Sequence, residues 1–272
     1  MLASGAGALY LATFYGWQVT YAVMGALVGV GMITVLLTRE PAASTTVGRP
    51  ATTFVEWFKE AVIAPFADFI TRPYWALILL FVVLYKLGDA LAGTVSSPFY
   101  IKMGFSKIEI ANISKIFGLI ATLVGLALGG FVTQALGLAR GLMVCGILQM
   151  LSNLMFVLQA HVGYDVPLLM ATIGIENLTG AMGSTAFVAF LSSLCRVSFT
   201  ATQYALLSSL AAVPRTVMAA FGGWLAEILG WIPFFLLTVL AALPGLLLLA
   251  WLTRRFAVGK EMEAGEPEVA RA

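Results

Sequence analysis

The sequence is poor in charge. Asp, Glu, Lys and Arg make up only 10% of its 272 residues, against about 25% in a soluble globular domain, which excludes an ordinary water-soluble fold. There is a single histidine, His161, and the two cysteines, Cys145 and Cys195, lack CxxC spacing. That scarcity excludes a disulfide framework and a zinc site and leaves two buried free thiols. No glycine-rich phosphate loop follows a strand pattern, so an ATP-driven pump is not encoded; nor does any metal-ligand cluster point to enzyme chemistry or a bound cofactor. The formal net charge is +2 and the basic residues are spread through loops, whereas a nucleic-acid partner calls for a gathered basic patch.

Apolar sequence is abundant: 61% of the residues are hydrophobic and the mean hydropathy is +0.98. Crossing the hydrocarbon core of a lipid bilayer takes about 20 apolar residues. Eight runs separate at the charged loops: Met1–Phe14, Tyr21–Thr38, Tyr74–Phe99, Ile108–Leu136, Leu142–Ala160, Pro167–Leu194, Ala201–Leu229 and Pro233–Leu252. The expected fold is therefore an all-α polytopic membrane bundle. The first run would rise only about 21 Å as a helix and lacks the basic flank of a secretory signal; it reads as the tail end of a span.

Lys and Arg concentrate in cytoplasmic loops. Arg39, Arg49, Lys59, Arg72, Arg140, Arg196, Arg254, Arg255, Lys260 and Arg271 fall on one side, while Lys102 and Lys107 mark the other. Both termini are thus expected in the cytoplasm. Between residues 39 and 72, a polar linker over Pro41–Pro50 precedes Phe54, Trp57, Phe58 and Ala61 at helical spacing, with Glu56, Lys59 and Glu60 on the other face. This predicts a short amphipathic helix ended by Pro65, lying in the headgroup layer or packed on the bundle. The tail from Gly259 to Ala272 has nothing apolar to bury. The expected segments are 1–38, a linker over 39–72, a six-helix unit over 73–253, and a tail over 254–272.

Two internal repeats stand out. Tyr10-Leu11-Ala12 followed by Gly16-Trp17 matches Trp224-Leu225-Ala226 followed by Gly230-Trp231, at an offset of 214 residues. On that register the first two runs correspond to the last two, and a six-helix unit would place four helices ahead of Met1. The second repeat is acid-x-Leu-x-Gly-x-x-x-Ser, from Asp89 to Ser97 and from Glu176 to Ser184. Its copies lie on spans of opposite sense, as in the inverted three-helix repeats of many secondary transporters.

Six plus six helices with a long central loop is the plan of the major facilitator superfamily, and Gly130–Arg140 resembles its loop signature, with Gln134 where an Asp is usual and Ala135 where a basic residue is usual. Within that superfamily the chain resembles the AmpG-type muropeptide permeases of the peptide/acetyl-CoA transporter group. The resemblance rests on Tyr85-Lys86-Leu87-Gly88-Asp89, Pro98-Phe99-Tyr100, Gly104-Phe105-Ser106, Glu176–Gly183, Ser198–Leu210, Gly7–Ala12 and Gly16-Trp17-Gln18, and covers about the last two-thirds of the family's length. It implies proton-coupled import of N-acetylglucosaminyl-anhydro-N-acetylmuramic acid and its peptides across the bacterial inner membrane, for peptidoglycan recycling. Carriage of acetyl-CoA or another bulky anion, and a non-transporting membrane scaffold or fragment, are the alternatives.

A charge at membrane depth costs about 2.5–3.5 kcal/mol on insertion scales, so it usually faces a cavity or a partner. Helix rise puts Asp89 about 22 Å and Arg215 about 21 Å from the same side, with Lys86 one turn before Asp89. The three could form a charge cluster. Asp89, with Lys86 beside it, is the leading candidate for proton coupling and Glu176 the second; a fixed ion pair joining two helices is the structural alternative for Asp89. Arg215 could offer a planar donor fork to a substrate carboxylate or pair with Asp89. Asn177, Gln203 and Tyr204 suit sugar hydroxyls and ring faces, although amides in spans also serve as interhelical hydrogen bonds.

Overall fold

The computed structural model describes residues 8–38, 53, 59–196 and 199–255, and among these there is no strand. The chain divides into two compact units, Met1–Pro50 and Ala51–Ala272. The first is represented by helix α1, Ala8–Leu37, interrupted at Gly16 (φ 79°, ψ 165°). Past this break, Thr20 Oγ1 donates to the Gly16 carbonyl at 3.0 Å, satisfying an acceptor that lipid could not.

The second unit opens with a π turn, Lys59–Ile63, running into α2, Ala64–Ile70. There follow α3 (Trp75–Tyr85), α4 (Leu87–Lys102) and α5 (Lys107–Asn112), which passes through a π segment, Ile113–Gly118, into α6 (Leu119–Leu136). Then come α7 (Leu138–Val162), α8 (Val166–Ser193), α9 (Thr200–Leu229) and α10 (Trp231–Arg255). Phe54, Trp57 and Phe58, and the side chain of Ala61, lie outside the described residues, as does the tail. Helix α7 reaches Val162, which puts His161 in its last turn and not in a connecting loop.

Among the described residues, six helical stretches are long and apolar enough to cross a membrane: Phe14–Leu37, Trp75–Lys102, Lys107–Leu136, Leu138–Val162, Thr200–Leu229 and Trp231–Arg254. The eight expected runs reduce to six for two reasons. Only the end of the first run is described, continuous in one helical element with the second across the Gly16 kink. Helix α8, at 28 residues, is long enough, but Glu176, Asn177 and its Thr, Ser and Gly residues dilute its hydropathy. Among the described residues the fold is an all-α polytopic bundle.

Close packing centres on α8. A Cβ at Gly125 of α6 would stand 2.3 Å from the Leu178 carbonyl, and one at Gly129 would stand 2.7 Å from the Met182 Cα. Small residues let helix backbones approach where no hydrophobic drive exists between them in lipid. Two aromatic clusters fill the rest, one around Phe81, Tyr85, Phe187 and Phe190, the other around Phe99, Phe156, Phe234 and Phe235.

Candidate functional site

The span from Trp75 to Lys102 is broken at Lys86, which closes α3 and opens α4 with φ −94° and ψ 0°. Glycines fit this break against α10: a Cβ on Gly88 would stand 2.6 Å from the Thr238 carbonyl, and one on Gly245 would stand 3.0 Å from the Leu84 carbonyl. Interrupted helices near mid-membrane are a recurrent way of building transporter sites.

Just past the break, a cavity of about 650 Å³ opens between α4, α8 and α9, with Lys86, Asp89, Gly93, Glu176, Asn177, Ser184, Phe187, Tyr204 and Arg215 among its lining residues. Six of the seven candidate residues thus share one chamber, its volume within the roughly 300–1,000 Å³ of small-molecule sites. The second repeat gains spatial meaning here, since both of its acids, Asp89 and Glu176, face this chamber.

Lys86 is tied three ways. Its Nζ is 3.7 Å from Asp89 Oδ2, donates to Ser184 Oγ of α8 at 3.1 Å, and lies 5.8 Å from the centroid of the Phe187 ring. That ring stacks in turn on Tyr85 at 5.1 Å. A single ammonium therefore bridges α4 and α8. The expected cluster of three charges is only partly formed: among the described residues no carboxylate lies within 4.0 Å of Arg215, which is exposed to the cavity. Its neighbour Pro214 is buried within α9.

Asn177 lines the cavity with its amide already engaged. Nδ2 donates to the Ile173 carbonyl at 2.8 Å and to Glu176 Oε2 at 3.3 Å, while Oδ1 accepts from Thr122 Oγ1 at 3.3 Å. It therefore fixes the Glu176 carboxylate and ties α8 to α6.

Gln203 is placed elsewhere. Its Nε2 donates to the Pro65 carbonyl at 3.2 Å and to Asp68 Oδ2 at 3.0 Å, and its Oε1 accepts from the Arg196 backbone N–H at 2.9 Å. Asp68 is the hub of this network, also pairing with Arg72 at 3.0 Å and with Arg196 at 2.5 Å, while Arg72 donates to the Leu194 carbonyl. Burial pushes the Asp68 carboxyl up, but the hydrogen bonds from Arg72 and Gln203 and the two guanidinium charges outweigh it and hold the group below its ordinary value. This clamp, and the roles of Ser184 and Phe187, were not read from the sequence; the visible signal was Asp68 and Arg72 at i, i+4 after Pro65. At the opposite end, Glu109 caps α5 through Ser106 and accepts from Tyr164 Oη at 2.7 Å.

No family model matches the chain. The protein named AmpG 4 of Rickettsia felis is 41% identical over 263 residues, which is 94% of this chain and 62% of that relative. The anhydromuropeptide permease of Escherichia coli K12 is 44% identical over 251 residues, 92% of this chain and 50% of that protein. The protein named AmpG 3 of Rickettsia prowazekii is 34% identical over 245 residues, 88% of this chain and 58% of the relative. The chain thus spans 50–62% of the length of these curated relatives. Identity at this level along nearly all of its own length, on an all-α polytopic bundle, makes the chain a relative of the AmpG transporters.

Proposed function

We propose that this sequence forms the cavity-bearing part of a proton-coupled permease of the bacterial inner membrane that imports anhydro-muropeptides for peptidoglycan recycling. The observation that carries the reading is the single chamber shared by Asp89, Lys86, Glu176 and Arg215, in a chain 44% identical to an anhydromuropeptide permease.

In this scheme Asp89 takes the proton. Coupling demands that a carboxylate's hold on its proton differ between the two access states. Lys86 supplies that difference because it is bound to Asp89 on α4 and to Ser184 on α8 at once. Any displacement of α8 against α4 changes the distance from the ammonium to the carboxylate. Protonation of Asp89 ends the ion pair and leaves Lys86 on Ser184 and the Phe187 ring. Glu176, fixed by Asn177, is the second acidic group of the chamber. Arg215, with no carboxylate partner among the described residues, receives the lactyl or peptide carboxylate of the substrate through a planar fork, and Tyr204 offers a ring face and hydroxyl to the sugars. The end carrying Arg72 and Arg196 is assigned to the cytoplasm by its basic residues.

The test is uptake by the full-length protein in a transport-deficient host. Asp89→Asn is expected to lose accumulation driven by a proton gradient while retaining exchange of labelled for unlabelled substrate. Arg215→Gln is expected to raise the apparent KM about tenfold or more, the scale of one charge-assisted hydrogen bond, with Arg215→Lys recovering only part. Proton-driven accumulation by Asp89→Asn, or transport of acetyl-CoA in place of the anhydro-disaccharide, would overturn the reading.

A further inference from the structure

Asp89 faces two cavities. On the side away from the 650 Å³ chamber it borders a second space of about 10 Å³, walled by Tyr85, Gly146, Gln149, Met150, Asn153, Ala242 and Leu246. Gly146, Gln149, Met150 and Asn153 fall at i, i+3, i+4 and i+7 of α7, so one face of that helix brings two amides to the back of the carboxylate.

Those amides are buried, with Gln149 6% and Asn153 3% exposed. Among the described residues Gln149 Nε2 has no hydrogen-bond partner. A Cβ on Gly183 would come within 2.2 Å of Gln149 Oε1, so the amide lies against α8 where only glycine leaves room for this rotamer. An orphaned buried donor is costly, and such a group in a native fold calls for a partner. The space is near the minimum that holds one water, and it has the two to four polar neighbours such a water needs.

We propose that this pocket is a single-water site in which Gln149 Nε2, with Asn153 beside it, donates to a water that hydrogen-bonds Asp89 from behind, making Gln149 a positioning residue for the coupling carboxylate. The inference rests on the assignment of Asp89 made above. Asp89 then has a fixed water on its α7 side and a variable ammonium, Lys86, on its α8 side. The other ionisable groups facing it are Tyr85 of α3 across the small pocket, and Glu176 of α8 with Tyr204 and Arg215 of α9 across the large chamber. Tyr85 Oη is committed as a donor to the Leu142 carbonyl at 3.1 Å. Helix α10 contributes only Ala242 and Leu246, which do not titrate.

The experiment compares Gln149→Met with the parent in the full-length permease, by the pH profile of uptake and by the infrared carbonyl stretch of protonated Asp89. Methionine keeps the length and removes the donor. Loss of a hydrogen bond to the ionised form favours the protonated one, so the pH of half-maximal uptake is expected to move up by about one unit, and the carbonyl band to higher frequency. Should Gln149→Met fail to fold, Asn153→Leu is measured in the same way and carries the same expectation. A parent-like profile and an unmoved band, in a folded variant and with Asp89→Asn uncoupled, would overturn the water site alone. Proton coupling that survives Asp89→Asn would overturn it together with the role of Asp89.

Discussion

At the scale of single residues, the glycines of α6 separate two kinds of smallness. Gly125 meets the α8 backbone, with a Cβ falling 2.3 Å from the Leu178 carbonyl, whereas a Cβ on Gly130 meets nothing within 4 Å. Gly125→Ala should therefore lower stability by about 1–3 kcal/mol, the usual cost of overpacking, and Gly130→Ala should leave it unchanged. Thermal unfolding of the two purified variants in detergent checks this, and equal behaviour would deny α8 its close seat on α6. The sequence displays both glycines alike, so which one is packed was not legible there. Legible were the charges: a carboxylate in an apolar run has few alternatives to a cavity or a partner, and Asp89, Lys86, Glu176 and Arg215 all reach the same chamber. Gln203 looked equivalent to them because an amide in a span carries no mark of its partner. Its partners are a short helix more than 100 residues earlier in the chain and a turn that forms only once α8 has ended.

At the scale of elements, the interruption between α3 and α4 places Lys86 and Asp89 at the chamber, and a clamp on α2 joins that helix to the turn between α8 and α9. Helix α2 has only seven residues, too few to be stable alone. Asp68 secures it to the turn between α8 and α9 through Arg72, Arg196 and Gln203. Because the folded carboxyl sits below its ordinary value, this contribution is complete above the unfolded carboxylate pKa, near 3.9, and is lost as pH falls through the still lower folded value. The clamp is therefore intact at neutral pH and releases only in strong acid. Asp68→Asn should remove it at every pH, speeding amide exchange in 64–70 at neutral pH and flattening the acid-side fall of Tm expected of the parent. Unchanged exchange would show that α2 is held by apolar contacts alone.

The hairpin glycines tell a related story about elements. Gly16 and Gly230, matched by the first repeat, have the same backbone at φ 79°, ψ 165° and φ 78°, ψ 165°. This left-handed region is open to glycine and costly for other residues, so a repeat in sequence is here a repeat in conformation. Helix spans were readable from hydropathy to within a turn or so. The break at Lys86 was not, because nothing in Leu84–Gly88 forbids a continuous helix locally; the break depends on Gly88 and Gly245 meeting at α10.

At the scale of the whole molecule, the unit Ala51–Ala272 has differently built ends. One is closed by the Asp68 network, the other by the Glu109–Tyr164 hydrogen bond beside the Ser106 cap. The chamber runs from Tyr204, near the start of α9, to Arg215, a rise of about 16 Å along the helix, and its charges lie towards the deeper part. In the scheme proposed above, filling this chamber with an anhydro-muropeptide moves a proton through Asp89. Proteoliposomes of the full-length protein, loaded with a pH-sensitive dye, test it most directly. Addition of N-acetylglucosaminyl-anhydro-N-acetylmuramic acid should acidify the lumen with the parent protein and leave it unchanged with Asp89→Asn. Equal acidification by both proteins, or none by the parent while it takes up the disaccharide, would contradict the account.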